Sequence, residues 1–136
     1  MTPEQIDAFR ASLKRCLSTP DFLRTFYEQF MGFSEEIREK FRQTDFTRQT
    51  RVLTDSLYAM AVIAQGESES PARAEIERLA QQHGRDQLDI RPELYDVWLD
   101  CLIKAARQHD PEFTPALEVA WRETLRVGIE QMRSLY

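Results

Sequence analysis

The chain has 136 residues, of which 42% are hydrophobic and 30% are charged, the balance of a globular protein rather than of a disordered chain. Its length predicts a single domain, 1–136, that buries about two-thirds of the surface exposed by its unfolded chain. The formal net charge of -5 lacks the basic surface that nucleic-acid binding requires, and it disfavours anionic lipid surfaces.

The N-terminus and the cysteines indicate the cellular compartment of the protein. The N-terminus has neither a basic start nor a long apolar run, so we expect no signal peptide, no membrane span and a cytoplasmic protein. The two cysteines, Cys16 and Cys101, fall inside helical patterns without a Cys-x-x-Cys spacing. We expect both to be reduced and to face the core, since disulfides are rare in cytosolic proteins.

Prolines mark most of the predicted helix starts. A proline at the first helical position loses no hydrogen bond, and a preceding Thr or Ser can cap the next free N–H groups. Five of the six prolines occur in such a place: Thr2-Pro3, Thr19-Pro20, Ser70-Pro71, Arg91-Pro92 and Thr114-Pro115. No strand pattern or internal repeat competes with helix, so the sequence predicts an all-α fold.

The first half of the chain predicts four helices. The first covers 3–17, with a capping box at Thr2 and an apolar stripe, and the second covers 20–32, where the aromatic residues are too dense for a single stripe. A short third helix follows Ser34. Thr44 or Asp45 then caps a long helix that ends at Gln65 and Gly66, with one face formed by Phe46, Gln49, Leu53, Leu57, Met60 and Ala64.

The second half predicts three more helices, over 71–83, 92–108 and from Pro115 to the C-terminus, with a solvated loop at 67–70. The helix that ends at His83 carries its apolar residues at helical spacing, and the histidine shares their face. A buried imidazole must be satisfied, because an unpaired buried polar group costs roughly 1–3 kcal/mol. His83 is therefore either a core residue bonded to a backbone carbonyl or a metal ligand.

Two sequence segments favour the interpretation of His83 as a metal ligand. Leu79-Ala80-Gln81-Gln82-His83, followed by Pro92-Glu93-Leu94-Tyr95, resembles the proximal segment of the globin domain of flavohaemoglobins and of single-domain bacterial globins. The resemblance implies a globin fold of about seven helices around one haem b, and His83 matches the proximal ligand of the iron. An imidazole on one side of haem iron leaves the opposite side for a second ligand.

The resemblance extends to the other side of the expected pocket. Tyr27, within Thr25–Phe30, matches the tyrosine that hydrogen-bonds the gas ligand, although a core aromatic would also fit the pattern. Phe41 matches the phenylalanine that packs against the porphyrin, and Gln49 and Leu53 match the distal glutamine and the apolar residue one turn later. Tyr95 matches a tyrosine near the proximal histidine.

Arg48 and Arg51 offer an alternative on the same helix. The connection between Phe41 and Gln49 is shorter than in flavohaemoglobins, and an error of one turn would bring one of these arginines to a haem propionate. The remaining histidine, His109, is expected at the surface, where a helix end favours a positive imidazole.

Two departures from flavohaemoglobins bear on activity. The segment between His83 and Pro92 is longer, and the end of the last helix, 132–136, lacks the glutamate that polarises the proximal histidine in those enzymes. A carboxylate there would favour oxygen activation. The chain also has no Gly-x-Gly-x-x-Gly motif and only four glycines, so any redox cycle would need a separate reductase.

The resemblance therefore implies a globin that reversibly binds oxygen or another diatomic gas, NO or CO. Two alternatives stay open: an NO dioxygenase served by a separate reductase, and a globin-fold sensor or interaction module that acts through a partner protein. The helical pattern alone would also fit a plain bundle with a satisfied core histidine. The sequence leaves the oligomeric state open, a dimer included.

Overall fold

A computed structural model describes residues 1–66 and 71–136 of the chain. Within these ranges the backbone forms seven α-helices and no strand, in the following order: α1 (Pro3–Leu17), α2 (Phe22–Phe33), α3 (Glu35–Lys40), α4 (Phe46–Ala64), α5 (Pro71–His83), α6 (Leu94–His109) and α7 (Pro115–Ser134). The predicted all-α class and number of helices are thus confirmed.

Side-chain caps fix the starts of four helices. The capping box at Thr2 is complete, since its hydroxyl accepts from the Gln5 N–H and the Gln5 side chain accepts from the Thr2 N–H. Ser34 caps α3 and Thr114 caps α7 through the hydroxyl alone, which accepts from the N–H of the third residue ahead. Of the two residues predicted for α4, Asp45 is the cap, with its carboxylate accepting from the N–H groups of Thr47 and Arg48. The predicted Ser70 cap lies outside the described residues.

Two helices begin later than their prolines predict. The Thr19 hydroxyl donates to the Cys16 carbonyl at the end of α1 instead of capping α2, so Pro20 lies in a turn and α2 begins at Phe22. Before α6, the N–H groups of Leu94 and Tyr95 bond carbonyls three residues back, which is a tight turn rather than α-helix. Proline suits both kinds of turn, because its fixed φ is common to them.

The helices pack in two connected groups around one core. α1 lies on α7, α2 lies on α6, and α4 lies on α5 and α7, while α5 also contacts α7. The α4 and α7 crossing is close at Gly128, where an added Cβ would lie 2.6 Å from Met60 Cγ. Cys16 and Cys101 are free thiols in the core, as predicted.

A buried carboxylate ties α1 to the end of α6. Asp110 is only 2% exposed and accepts hydrogen bonds from Ser12 Oγ at 2.6 Å, from Arg15 Nε at 2.7 Å and from the Glu112 N–H at 2.9 Å. Trp121 Nε1 donates to Ser12 Oγ at 3.0 Å and so joins α7 to the network. Every acceptor is thereby paired, which a buried charge requires.

Candidate functional site

A cavity of about 250 Å³ opens between α2, α4, α5 and α6, and its wall is largely apolar. All six residues that the sequence singled out line this cavity: Tyr27, Phe41, Gln49, Leu53, His83 and Tyr95. They come from four helices and from the corner after α3, so the fold brings together positions as far apart as 27 and 95.

His83 ends α5 and is half-buried, with its Nδ1 lying 3.2 Å from Tyr95 Oη. Burial lowers the pKa of His83 to about 4, so the imidazole is neutral near pH 7. A neutral imidazole is the form that ligates metals. With Nδ1 engaged by Tyr95, the second ring nitrogen, Nε2, has no hydrogen-bond partner in the described part of the chain.

Tyr27 lies on α2 and reaches the same cavity with a side chain that is 4% exposed. Its hydroxyl is buried and has no hydrogen-bond partner among the described residues. Burial raises the pKa of Tyr27 to about 12, and the approach of the Gln49 side chain opposes that rise without forming a hydrogen bond of ordinary geometry. The phenol is therefore a neutral donor without an acceptor.

Aromatic rings hold Tyr27 in place. Its ring meets Phe41 edge to face at a centroid distance of 5.6 Å and meets Phe46 at 5.3 Å, while Phe26 packs against it at 4.9 Å. Edge-to-face pairs of this kind contribute about 0.5–1.5 kcal/mol each beyond their buried area. The high aromatic density of α2 is thus explained by this cluster and by its contacts with α6.

The register of α4 decides between Gln49 and its neighbouring arginines. Because Asp45 caps the helix, Gln49 and Leu53 line the cavity, whereas the side chains of Arg48 and Arg51 are exposed. The one-turn shift considered from the sequence is not observed. Neither arginine reaches the cavity wall.

Lys40 is a cavity residue that the sequence did not indicate. It lies at the end of α3, lines the cavity and donates from Nζ to the Leu88 carbonyl at 2.9 Å. Leu88 and Ile90, which also line the cavity, belong to the segment between α5 and α6. A short helix rich in charge gave no signal that its lysine would line the cavity.

Contacts on two sides hold this segment in place. The Arg91 guanidinium makes two hydrogen bonds of 2.7 Å to the Glu36 carboxylate on α3. At the other side, Tyr136 Oη donates to the Asp89 carboxylate and the Arg85 guanidinium lies 4.8 Å from the Tyr136 ring centroid. Asp89 adopts a left-handed φ of 51°, which an aspartate tolerates better than most residues.

On the His83 side of the cavity, the imidazole faces the Tyr95 hydroxyl. Met132 of α7 lines the cavity, and Arg133 forms an ion pair with Asp96 at the surface. Burial raises the pKa of Tyr95 to about 12, and the nearby Arg133 only partly offsets this. The partner of His83 Nδ1 is therefore a neutral hydroxyl.

The second histidine is more enclosed than predicted. His109 is half-buried, its Nε2 lies 2.8 Å from Thr25 Oγ1, and its ring meets Phe22 edge to face. The packing of α2 on α6 provides these contacts, which the local sequence around 109 could not indicate. His109 does not line the cavity.

The comparisons with known proteins agree with this architecture. The sequence model described as Globin matches residues 10–132. The chain belongs to the globin family. Its fold is therefore a globin fold, and the family implies a haem cofactor and diatomic gas ligands.

A solved structure gives the same result for this globin. The crystal structure of protein PA3967 from Pseudomonas aeruginosa PAO1, which is described as structurally highly homologous to a human hemoglobin, matches with a TM-score of 0.90. The two chains are 36% identical, and the match covers 97% of this globin and 98% of PA3967. No curated protein matched the sequence. Within residues 1–66 and 71–136, none of the globin's helices is long and apolar enough to cross a membrane.

Proposed function

We propose that this globin binds one haem b with His83 as its single protein ligand and that it reversibly binds oxygen or another diatomic gas. One observation carries the proposal: His83 on α5 and Tyr27 on α2 line the same apolar cavity, the Tyr27 hydroxyl has no partner among the described residues, and His83 uses Nδ1 for Tyr95 and leaves Nε2 for a ligand. A cavity of this kind is typical of a cofactor site, in which a few polar groups fix the orientation of the ligand.

The donor set fits haem. The imidazole is neutral near pH 7, because burial lowers the pKa of His83 to about 4, and its Nε2 is free to ligate iron. When Nε2 ligates, the proton resides on Nδ1 and is donated to Tyr95 Oη, which lies 3.2 Å away. Tyr95 would thus fix the tautomer and orientation of the imidazole.

Haem supplies an iron at which a diatomic gas can bind. Tyr27 would then donate a hydrogen bond to the gas ligand, which would give its buried hydroxyl the acceptor that the described residues do not provide. Gln49 lies close enough to orient that hydroxyl or to donate a second bond. Leu53 and Phe41 exclude water from the same wall, which strengthens these polar interactions.

Lys40 would neutralise a carboxylate at the edge of the cofactor. Lys40 lines the cavity wall and its ammonium donates to the neutral Leu88 carbonyl, so a propionate could replace a neutral acceptor with a charged one. Arg48 and Arg51, which were considered for this role from the sequence, are exposed elsewhere on α4.

The proximal hydrogen bond favours reversible gas binding over oxygen activation. A carboxylate partner would increase the basicity of the imidazole, whereas the Tyr95 hydroxyl, with its pKa raised to about 12, stays neutral near pH 7. This supports the oxygen-binding function over the NO dioxygenase alternative.

The test is the visible spectrum of the protein expressed with a supply of haem, recorded in the ferric, reduced and CO-bound states. We expect a Soret band that is lost or shifted in His83→Ala and retained in His109→Gln. This control is matched, because the chain contains only these two histidines. A spectrum that is the same in His83→Ala as in the wild type would refute His83 as the ligand.

A further inference from the structure

A second hollow lies on the outer side of Tyr27. This groove, of about 780 Å³, runs between α2 and α4 and is here called the distal groove. The groove exists because the main contacts of α2 are with α6 and α3, whereas those of α4 are with α5 and α7. The charged side chains of its wall, those of Arg24, Glu28 and Arg51, are exposed. The rest of the wall combines apolar side chains with threonines, notably Leu17, Leu23, Met31, Phe46, Thr50 and Thr54.

Tyr27 separates the distal groove from the cavity. Among the described residues it alone belongs to both walls. Along α4, neighbouring residues diverge, so that Gln49 and Leu53 line the cavity while Thr50 and Thr54 line the groove. Tyr27 is therefore the point at which the two spaces approach each other most directly along the described walls.

The Tyr27 ring is held there by ring contacts rather than by hydrogen bonds. Its edge-to-face contacts with Phe41 and Phe46 have centroid distances of 5.6 and 5.3 Å, and its hydroxyl has no partner in the described chain. A change of its side-chain rotamer would break no hydrogen bond within those residues. Turning the ring would cost only its aromatic contacts, which are weak enough for a gate that opens transiently to a small molecule.

The opposite edge of the cavity is bridged more firmly. There, Arg91 bonds Glu36 twice at 2.7 Å, so α3 is joined to the segment after α5. Passage between these elements would require the separation of this bidentate ion pair, whereas the Tyr27 hydroxyl makes no hydrogen bond to the described residues.

We infer that a neutral diatomic gas reaches the cavity through the distal groove and that the Tyr27 ring is the gate. This inference rests on the proposed function, because it gives the route to the haem site described above. The apolar part of the groove wall attracts a weakly hydrated gas and does not favour a hydrated ion. The role of the ring as a gate is separate from that of the hydroxyl as a donor.

The first test uses the rate of CO association after flash photolysis of the haem-loaded protein. Thr50→Trp fills the groove without touching the cavity, so we expect association and dissociation to slow together, by about tenfold, with little change in equilibrium affinity. Asp55→Trp is the control, since Asp55 is exposed on the same helix and lines neither space. Equal association rates in both variants and the wild type would overturn the route.

The second test does not need haem and so distinguishes failure of the route from failure of the proposed function. Xenon enters apolar cavities in proteins and can be followed through the shifts that it causes in methyl NMR signals. In the haem-free protein we expect xenon to shift the methyl signals of Leu23 in the groove and of Leu53 in the cavity. Thr50→Trp should slow the exchange of xenon at Leu53. An unchanged exchange rate at Leu53 would contradict the gate whether or not the protein binds haem.

Discussion

Tyr27→Phe should have opposite effects on the empty protein and on its gas complex. The Tyr27 hydroxyl is buried in a side chain that is 4% exposed, and it has no hydrogen-bond partner among the described residues. A buried hydroxyl without a partner costs about 1–3 kcal/mol. Removing the oxygen while keeping the ring and its contacts with Phe41 and Phe46 should therefore raise the free energy of unfolding of the haem-free protein by about that amount.

The gas complex should respond in the other direction. If the hydroxyl donates a hydrogen bond to bound oxygen, its net contribution is about 0.5–1.5 kcal/mol, which corresponds to an increase of roughly two- to twelvefold in the oxygen dissociation rate of Tyr27→Phe. CO accepts hydrogen bonds less well than oxygen, so its dissociation rate should change less. The ratio of the two rates thus isolates the hydrogen bond from any change in packing.

Two assays check this pair of effects. Denaturant unfolding of the haem-free proteins measures the gain in stability, and displacement of oxygen by CO in a stopped-flow instrument measures the dissociation rate. A Tyr27→Phe protein that is less stable than the wild type when haem-free, or that releases oxygen at the wild-type rate, would refute the reasoning. The first result would mean that the hydroxyl has a partner, and the second that it does not face the gas.

Three further predictions concern the hydrogen-bond network of Asp110, the edge of the cavity at Lys40 and the crossing of α4 and α7 at Gly128. Burial alone would raise the pKa of Asp110, but its hydrogen bonds, above all those from Arg15, together outweigh burial and hold that pKa below its usual value. The contribution of ionised Asp110 to the free energy of unfolding is therefore complete above about pH 4, and it is lost as the pH falls through the lower pKa of the folded state. Asp110→Asn should cost about 2–3 kcal/mol at pH 7, and acid unfolding followed by circular dichroism should show a weaker pH dependence than the wild type. Lys40→Met should release haem several-fold faster to an acceptor protein. It should leave the release rate of the porphyrin dimethyl ester unchanged, because the ester has no propionate charge for Lys40 to neutralise. Faster release of both the haem and its ester would contradict this role. Gly128→Ala places a Cβ 2.6 Å from Met60 Cγ, and this overpacking should lower the free energy of unfolding by about 1–3 kcal/mol less the gain in helix propensity. Denaturant unfolding measures the change, and a more stable variant would show that Met60 yields freely.

The local sequence was sufficient wherever a side chain acts on its own helix. Thr2, Ser34, Asp45 and Thr114 cap the helices that follow them, because each hydroxyl or carboxylate reaches an N–H group two or three residues ahead. Thr19 fits the same pattern but bonds backwards to the Cys16 carbonyl. The choice between these two partners depends on how the chain turns between α1 and α2.

The candidate site was indicated by a combination of periodicity and resemblance. Helical spacing placed His83 on an apolar face, and the likeness to flavohaemoglobins indicated Tyr27, Gln49 and Tyr95. The structure gathers these residues at one cavity, while their roles in binding haem and gas remain the proposal tested above. The same likeness gave no signal for Lys40, because its inward position depends on the segment that includes Leu88.

The amino-acid sequence by itself determined the helical class, the positions of most helix starts and the apolar face that carries His83, because these depend on interactions between residues near one another in the chain. Only the tertiary structure decided that Tyr95 bonds the imidazole, that Asp110 is buried beneath Ser12, and that Tyr27 divides the cavity from the distal groove. Ser12 and Asp110 are 98 residues apart. Contacts of that range arise when amphipathic faces pack, and a periodic pattern specifies the face of each helix but not its partner.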